Sequence, residues 1–182
     1  LGNCISGGAH ARGKAPSIQE YLALPHGAES FLEAQTANVA IHRKIGDALK
    51  KKSQSFCGGK SDEGAWIANI STDDAFEIIA KACEEVGNEM DFECGFGIDV
   101  AASNFWKPKE EKYVYENDDI RRDAGEQLEY MLALIEKYHR AYVEDPFHED
   151  DFESFAELTK KANNCLICGD DLFTTNTERL NN

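Results

Sequence analysis

The sequence has few basic residues and no long apolar segment. Of its 182 residues only 19 are Lys or Arg, against 34 Asp or Glu, so the formal net charge is −15. Nucleic acids and anionic membranes repel a surface this acidic, and neither is expected as a partner. The apolar runs are far shorter than the roughly 20 residues of a transmembrane helix, and no signal peptide is recognisable. We therefore expect a cytoplasmic protein.

Cysteine is too sparse for a disulfide scaffold. The chain has six cysteines in 182 residues, which we interpret as reduced thiols. Cys165 and Cys168 form a CxxC pair inside the run CLIC, but a structural zinc site usually needs a second pair or added histidines. The pair is therefore predicted to be two buried or half-buried core thiols.

Hydrophobic periodicity predicts an alternation of strands and helices, in a chain long enough for one domain. Ser30 is expected to cap the first helix, with Glu33 completing a capping box, and Gly87 is expected to end the second helix. The polar stretch at 51–70 is predicted to be a loop and contains SDEGAW. Loops of this length tend to be functional. The class is α/β, with connections suited to parallel crossovers. The predicted elements are a strand at 18–24, a helix from 30, a loop at 51–70, a helix at 73–86, a strand at 92–101, a helix ending near 139, a strand at 141–143, a helix at 152–161, and a strand at CLICG.

Three predicted strands in succession end in an acidic residue, namely Asp99, Glu144 and Asp170. Acids after strands are often only helix N-caps, which is the expected role of Asp150 and Asp151. In a parallel barrel, however, the carboxyl ends of the strands converge on one rim. Three carboxylates there would repel one another unless a cation neutralised them. Ligands that are all oxygen favour Mg²⁺ over Ca²⁺ or Mn²⁺.

Six motifs occur in an order and spacing that resemble the enolase family, and most closely its archaeal members: GGAHARGK, IQEYLALPHGA, SDEGAW, GIDVAAS, VEDPFHEDDF and GDDLFTTN. The resemblance runs over residues 1–182. It implies a partial TIM-type (β/α) barrel of the enolase superfamily with about five barrel strands, the first part of the C-terminal domain, and no N-terminal domain. It also implies Mg²⁺-dependent dehydration of 2-phosphoglycerate to phosphoenolpyruvate, with two Mg²⁺ ions in the complete site.

The resemblance assigns roles residue by residue. Glu63 is the implied acid that protonates the leaving hydroxyl, with Glu20 as its acidic partner, and Asp145 is a neighbour that orients the turn. The implied substrate contacts are His10, Gln19, Glu20, Glu144 and Asp170, and the implied metal ligands are Asp99, Glu144 and Asp170. The lysine that serves as general base in the family comes from a later strand, so we expect the fragment alone to be inactive and marginally folded.

Three residues depart from the family pattern: Arg12, Ser61 and Asn104. Ser61 replaces a usual glycine, whose backbone freedom a serine lacks, and this substitution is expected to affect closure of the SDEG loop. Two other interpretations stay open, a non-catalytic acidic module that binds divalent cations and a superfamily member acting on a different acid. The parent protein is expected to be a homodimer or a larger homo-oligomer.

Overall fold

A computed structural model describes residues 1–11, 14–139 and 141–181. Arg12 lies outside the described residues. The chain divides into two compact units, Leu1–Ile98 and Asp99–Asn182, and both mix helices with strands. Across the described ranges the strands form open sheets rather than a closed barrel, and the predicted count of five barrel strands is not confirmed. No described helix has the length and apolarity needed to cross a membrane.

The first unit contains three neighbouring strands and two long helices. Strands β1 and β2 pair antiparallel, with Ser6 opposite Glu20, so the prediction of parallel crossovers throughout is wrong at this point. A parallel connection needs a crossover element, usually a helix, whereas the described part of 7–19 contains only a short 3-10 turn. The elements are β1 (Gly2–Ser6), β2 (Glu20–Leu24), α1 (Phe31–Lys52), α2 (Thr72–Met90) and β3 (Gly95–Asp99).

The start of α1 follows the predicted cap but not the predicted capping box. The Ser30 hydroxyl accepts a hydrogen bond from the Glu33 backbone N–H at 3.2 Å. The Glu33 carboxylate accepts a hydrogen bond from the Glu29 N–H at 2.9 Å instead of from the Ser30 N–H that a capping box would use. One face of this helix is buried, as the three-and-four spacing predicts; its apolar members are Ala37, Ile41, Ile45 and Leu49.

Gly87 does not end α2, contrary to the sequence prediction. The helix continues to Met90, and the residue that terminates it is Asp91 in the left-handed conformation, with φ of 60°. Gly87 serves a different purpose, because a Cβ atom there would lie only 2.9 Å from the carbonyl oxygen of Phe92. The glycine therefore permits close approach of the returning chain rather than the turn itself.

The second unit combines a small antiparallel sheet with a parallel strand pair. Strands β7 and β8 are parallel, with Glu144 opposite Cys168, and α4 connects them, so the predicted crossover is confirmed here. Asp151 caps α4 by accepting from the Ser154 N–H, which confirms its predicted role. The elements are β4 (Trp106–Lys107), β5 (Lys112–Tyr115), β6 (Ile120–Arg122), α3 (Ala124–Tyr138), β7 (Tyr142–Glu144), α4 (Phe152–Lys161), β8 (Leu166–Cys168) and α5 (Asp170–Phe173).

Cys165 and Cys168 are both half-buried, and neither forms a disulfide bond in the described chain. Among the described residues no cysteine belongs to a group arranged to hold a metal ion. Their half-buried positions match the prediction of buried or half-buried thiols.

Candidate functional site

A glycine-rich turn holds His10 in place in the first unit. The Gly7 N–H donates to the Gln19 carbonyl at 2.9 Å, and the Gly8 N–H donates to the Pro16 carbonyl at 2.9 Å. A Cβ on Gly7 would lie 2.2 Å from the Pro16 oxygen, so only glycine permits this approach. The turn is thereby pinned to the segment that leads into β2, whose first residue is Glu20.

Trp66 anchors the loop that carries Glu63. Its backbone N–H donates to the Cys4 carbonyl at 3.0 Å, and its indole N–H donates to the His42 carbonyl at 2.8 Å. The indole also stacks on the His42 ring with centroids 4.6 Å apart. Gly64, with φ of +84°, supplies the left-handed residue of the turn. The W of SDEGAW therefore fixes the acid of the same motif to β1 and α1.

These two segments bring together His10, Glu20 and Glu63. His10 Nδ1 lies 3.2 Å from Glu20 Oε1 and 3.9 Å from Glu63 Oε2. The Asn3 side-chain amide donates to Glu63 Oε2 at 2.9 Å and so orients that carboxylate. Among the described residues this is the one group of three or more His, Cys, Asp or Glu side chains whose ligand atoms all lie within 4.8 Å of one another.

The Nδ1 atom of His10 is buried, yet no described group makes a hydrogen bond to it with good geometry, although Glu20 lies at ion-pair distance. A buried polar atom without a hydrogen bond is costly. Its position among two carboxylates suits a polar ligand that would complete it, or a proton shared with the acids. Gln19, half-buried, lies beside the cluster in sequence and holds the glycine turn through its backbone carbonyl.

Ser61 and Asn104 both occupy ordinary local structure. Ser61 is not among the residues with a positive φ. The backbone conformation at this position is therefore one that serine adopts without strain. Its hydroxyl instead accepts a hydrogen bond from the Ser6 hydroxyl at 3.1 Å, which ties the loop to β1. Asn104 closes a 3-10 turn that spans Ala102–Asn104.

The strand-end acids Asp99, Glu144 and Asp170 all belong to the second unit. Asp99 is buried, and its Oδ1 accepts from the Ala101 N–H at 2.9 Å. Glu144 is half-buried, and Asp170 is exposed at the start of α5. The Val100 N–H donates to the Glu144 carbonyl at 2.9 Å, so the ends of two strands lie side by side as the sequence predicts.

The ligand atoms of Asp99, Glu144 and Asp170 do not form a mutually close group in the described chain. Like charges repel one another, and two of these carboxylates accept hydrogen bonds from residues two positions away, Asp99 from Ala101 and Glu144 from Tyr142. The donor chemistry still fits a hard divalent cation, since all three offer carboxylate oxygens at neighbouring strand ends. Their role as metal ligands stays a prediction.

Asp145 connects the ends of these strands. Its backbone carbonyl accepts from the Ala102 N–H at 3.0 Å, and its own N–H donates to the Cys168 carbonyl at 3.1 Å. Its side-chain Oδ2 accepts from the Asp171 N–H at 2.9 Å. The residue is 3% exposed and has a left-handed backbone with φ of 41°, which suits Asp better than most side chains. Sequence reasoning assigned it to the turn but not to this three-way connection.

The electrostatic environment of Asp145 opposes its ionisation. Burial raises the pKa of this carboxyl from 3.8 to about 6, and the nearby negative charges of Asp171 and Glu144 add to that shift. The backbone amides of Asp171 and Leu172 act in the opposite direction. Its other oxygen, Oδ1, is buried and makes no hydrogen bond to any described group, an orphaned atom next to the predicted ligands.

Gln127 supports the turn that contains Asp145 and Pro146. The sequence analysis did not identify this residue. This side chain is fully buried, and its amide N–H donates to the Pro146 carbonyl at 2.9 Å. Its carbonyl oxygen accepts from the Tyr115 hydroxyl at 3.0 Å. A glutamine among the apolar positions of a helix, as in Gln127 before Leu128, is the sequence signal that would have indicated a buried polar contact.

Comparison with known proteins identifies the same family over the whole chain. The family described as enolase, C-terminal TIM barrel domain, matches residues 1–182. The enolase of Methanothermobacter thermautotrophicus is 52% identical over 181 residues, which are 99% of this chain and 44% of that protein. The enolase of Methanosphaera stadtmanae is 51% identical, with the same coverage, and that of Pyrobaculum aerophilum is 50% identical over 99% of this chain and 42% of its own length. The chain thus spans less than half the length of these curated relatives.

Proposed function

Because this chain belongs to the enolase family, we propose that the whole protein of which it is part converts 2-phosphoglycerate to phosphoenolpyruvate and water. The observation that carries this proposal is the cluster of His10, Glu20 and Glu63, whose ligand atoms lie within 4.8 Å of one another. A carboxylate held by neighbours beside a second acid and a histidine is suited to moving a proton.

The reaction requires a proton to leave the carbon next to the substrate carboxylate and a hydroxide to leave the neighbouring carbon. We assign Glu63 to donate the proton that turns this hydroxide into water, so that the electron pair of the broken C–H bond forms the new double bond. Glu20 belongs to the same cluster and is assigned as the acidic partner of Glu63. His10 and Gln19 are assigned to substrate contact. The base that takes the first proton is a residue outside this chain.

Asp99, Glu144 and Asp170 are assigned to hold Mg²⁺, with two ions in the complete site. When bound, the ions stabilise the negative charge that develops on the substrate carboxylate as the proton is lost. Glu144 and Asp170 would also face the substrate. A carboxylate set of this kind binds a hard cation through charge and oxygen ligation.

The remaining proposals concern the surroundings of the enzyme. We propose a cytoplasmic homodimer or larger homo-oligomer. The formal charge of −15 supports the further proposal that it has no nucleic-acid or membrane partner. The 182-residue chain alone is proposed to be inactive, because the base residue lies outside it.

The test of catalysis uses the whole protein and two neighbouring acids of one loop. Glu63→Gln keeps the size of the side chain but removes its proton-donating ability, and we expect kcat to fall by about 10²- to 10⁴-fold. Asp62→Asn is the matched control, because Asp62 is exposed and is expected to leave kcat within about twofold, as is usual for removal of an exposed charge. Equal rates for wild type and Glu63→Gln would refute the assignment.

The test of the cation site is a Mg²⁺ titration of the same protein by calorimetry. Asp170→Asn is expected to weaken binding, and Asp150→Asn, an exposed acid of the loop before α4, is expected to leave it unchanged. Binding that Asp170→Asn removes, together with absence of dehydratase activity in the whole protein, would favour the non-catalytic cation-binding module instead.

A further inference from the structure

Tyr142 contacts one of the predicted metal ligands through its hydroxyl group. It lies two residues before Glu144 on β7, and side chains two apart on a strand project from the same face. The Tyr142 hydroxyl donates a hydrogen bond to Glu144 Oε2 at 2.8 Å. This contact uses one of the two carboxylate oxygens of Glu144.

The pairing of β7 with β8 fixes the position of this contact. Tyr142 is opposite Leu166 and Glu144 is opposite Cys168 in the parallel register. Val143, between the two polar residues, is fully buried on the other face. Neither the tyrosine nor the glutamate can therefore change faces without a slip of the strand register, which would expose the valine.

The Tyr142 hydroxyl is the donor in this contact and the Glu144 carboxylate is the acceptor. A hydrogen bond from a hydroxyl to a charged carboxylate is stronger than one between neutral groups. The contact therefore favours one orientation of the Glu144 side chain.

We infer that Tyr142 is a positioning residue for the cation site: its hydroxyl holds one oxygen of Glu144 so that the other is directed at a divalent cation. The inference rests on the proposed function in so far as Glu144 is a metal ligand. Removal of a group that hydrogen-bonds and orients a metal ligand typically lowers the affinity for the metal by about 10- to 100-fold.

The experiment measures Mn²⁺ affinity of the whole protein by electron paramagnetic resonance, with Mg²⁺ as competitor. Tyr142→Phe keeps the ring and removes only the hydroxyl. Tyr130→Phe is the matched control in the same unit, because phenylalanine preserves the ring contacts of Tyr130 with Arg122 and Tyr115. We expect Tyr142→Phe to weaken Mn²⁺ and Mg²⁺ binding about tenfold, and Tyr130→Phe to leave both unchanged.

A second measurement, the Mg²⁺ dependence of activity, distinguishes a positioning role from a general loss of structure. If Tyr142 acts through Glu144, the variant needs about tenfold more Mg²⁺ for half-maximal activity but recovers nearly the wild-type kcat when Mg²⁺ is saturating. Unchanged cation affinity in a folded Tyr142→Phe protein would overturn the inference and leave the proposed function intact. A lowered kcat that saturating Mg²⁺ does not restore would also overturn it. Failure of the wild-type protein itself to bind either cation would overturn both, and the titration shows this without any variant.

Discussion

The buried carboxyl of Asp145 gives the most specific prediction for stability. The residue is 3% exposed, and its pKa is raised to about 6 from 3.8. In the Asp145→Asn variant an amide replaces a group that is costly to ionise in this position. Asn tolerates the left-handed backbone as Asp does, and its oxygen can accept the same Asp171 N–H. The substitution therefore changes charge with little change of shape.

The sign of the pH dependence follows from the direction of the shift. Because the folded pKa lies above the unfolded one, the folded state retains a proton that the unfolded chain has lost between these two values. The stabilisation from Asp145 is complete below pH 3.8 and is lost as the pH rises through about 6. The gap between the two pKa values corresponds to about 3 kcal/mol of unfolding free energy, so the variant, which does not titrate, should gain that much over wild type at pH 8.

The assay is urea unfolding of the whole protein, with chelator present, at a series of pH values from about 4 to about 8, a range that covers both pKa values. The measured quantity is the difference in unfolding free energy between Asp145→Asn and wild type. It should be small at the acidic end and should rise by about 3 kcal/mol toward the basic end. A constant difference, from the loss or gain of a hydrogen bond of about 1 kcal/mol, does not affect this slope. Asp150→Asn, an exposed acid, is the control. A difference that stays flat with pH would refute the reasoning that Asp145 is held in an environment hostile to its charge.

Three further substitutions, each measured by chemical unfolding, test one contact in each of the helices α1, α2 and α3. Ser30→Ala removes the cap that accepts from the Glu33 N–H and should cost about 1 kcal/mol. Ile79→Ala empties a fully buried position of α2 and should cost about 2–5 kcal/mol. Gln127→Leu takes away the partners of the Tyr115 hydroxyl and the Pro146 carbonyl and should cost about 1–3 kcal/mol for each group left buried without a hydrogen bond.

Two of these substitutions have a conservative counterpart. Ser30→Thr keeps a capping hydroxyl and should lose much less than Ser30→Ala. Ile79→Val removes one methylene and should cost about 0.5–1.5 kcal/mol. Equal stability of Gln127→Leu and wild type would mean that water replaces both hydrogen bonds and that the loop after β7 does not depend on this side chain.

Local sequence signals predicted those elements whose determinants lie within a few residues. The helix at 152–161 is confirmed with its Asp151 cap, because a capping side chain and an apolar face are local properties. Prediction failed at Gly87, where a glycine that ends helices in many proteins instead allows Phe92 to approach closely. It failed again at the antiparallel pairing of β1 with β2. In both cases the deciding contact involves a segment that local patterns do not specify.

The order of the six motifs by itself indicated the family. The acidic residues at the ends of three predicted strands by themselves indicated a possible cation site. Only the tertiary structure decided that His10, Glu20 and Glu63 form a close cluster, because that depends on a glycine turn and on the anchoring of Trp66. It likewise decided that Asp145 joins three strand ends and that Tyr142 holds Glu144. Such contacts depend on strand register and on burial, which arise when distant segments pack together, and no single stretch of the sequence encodes them.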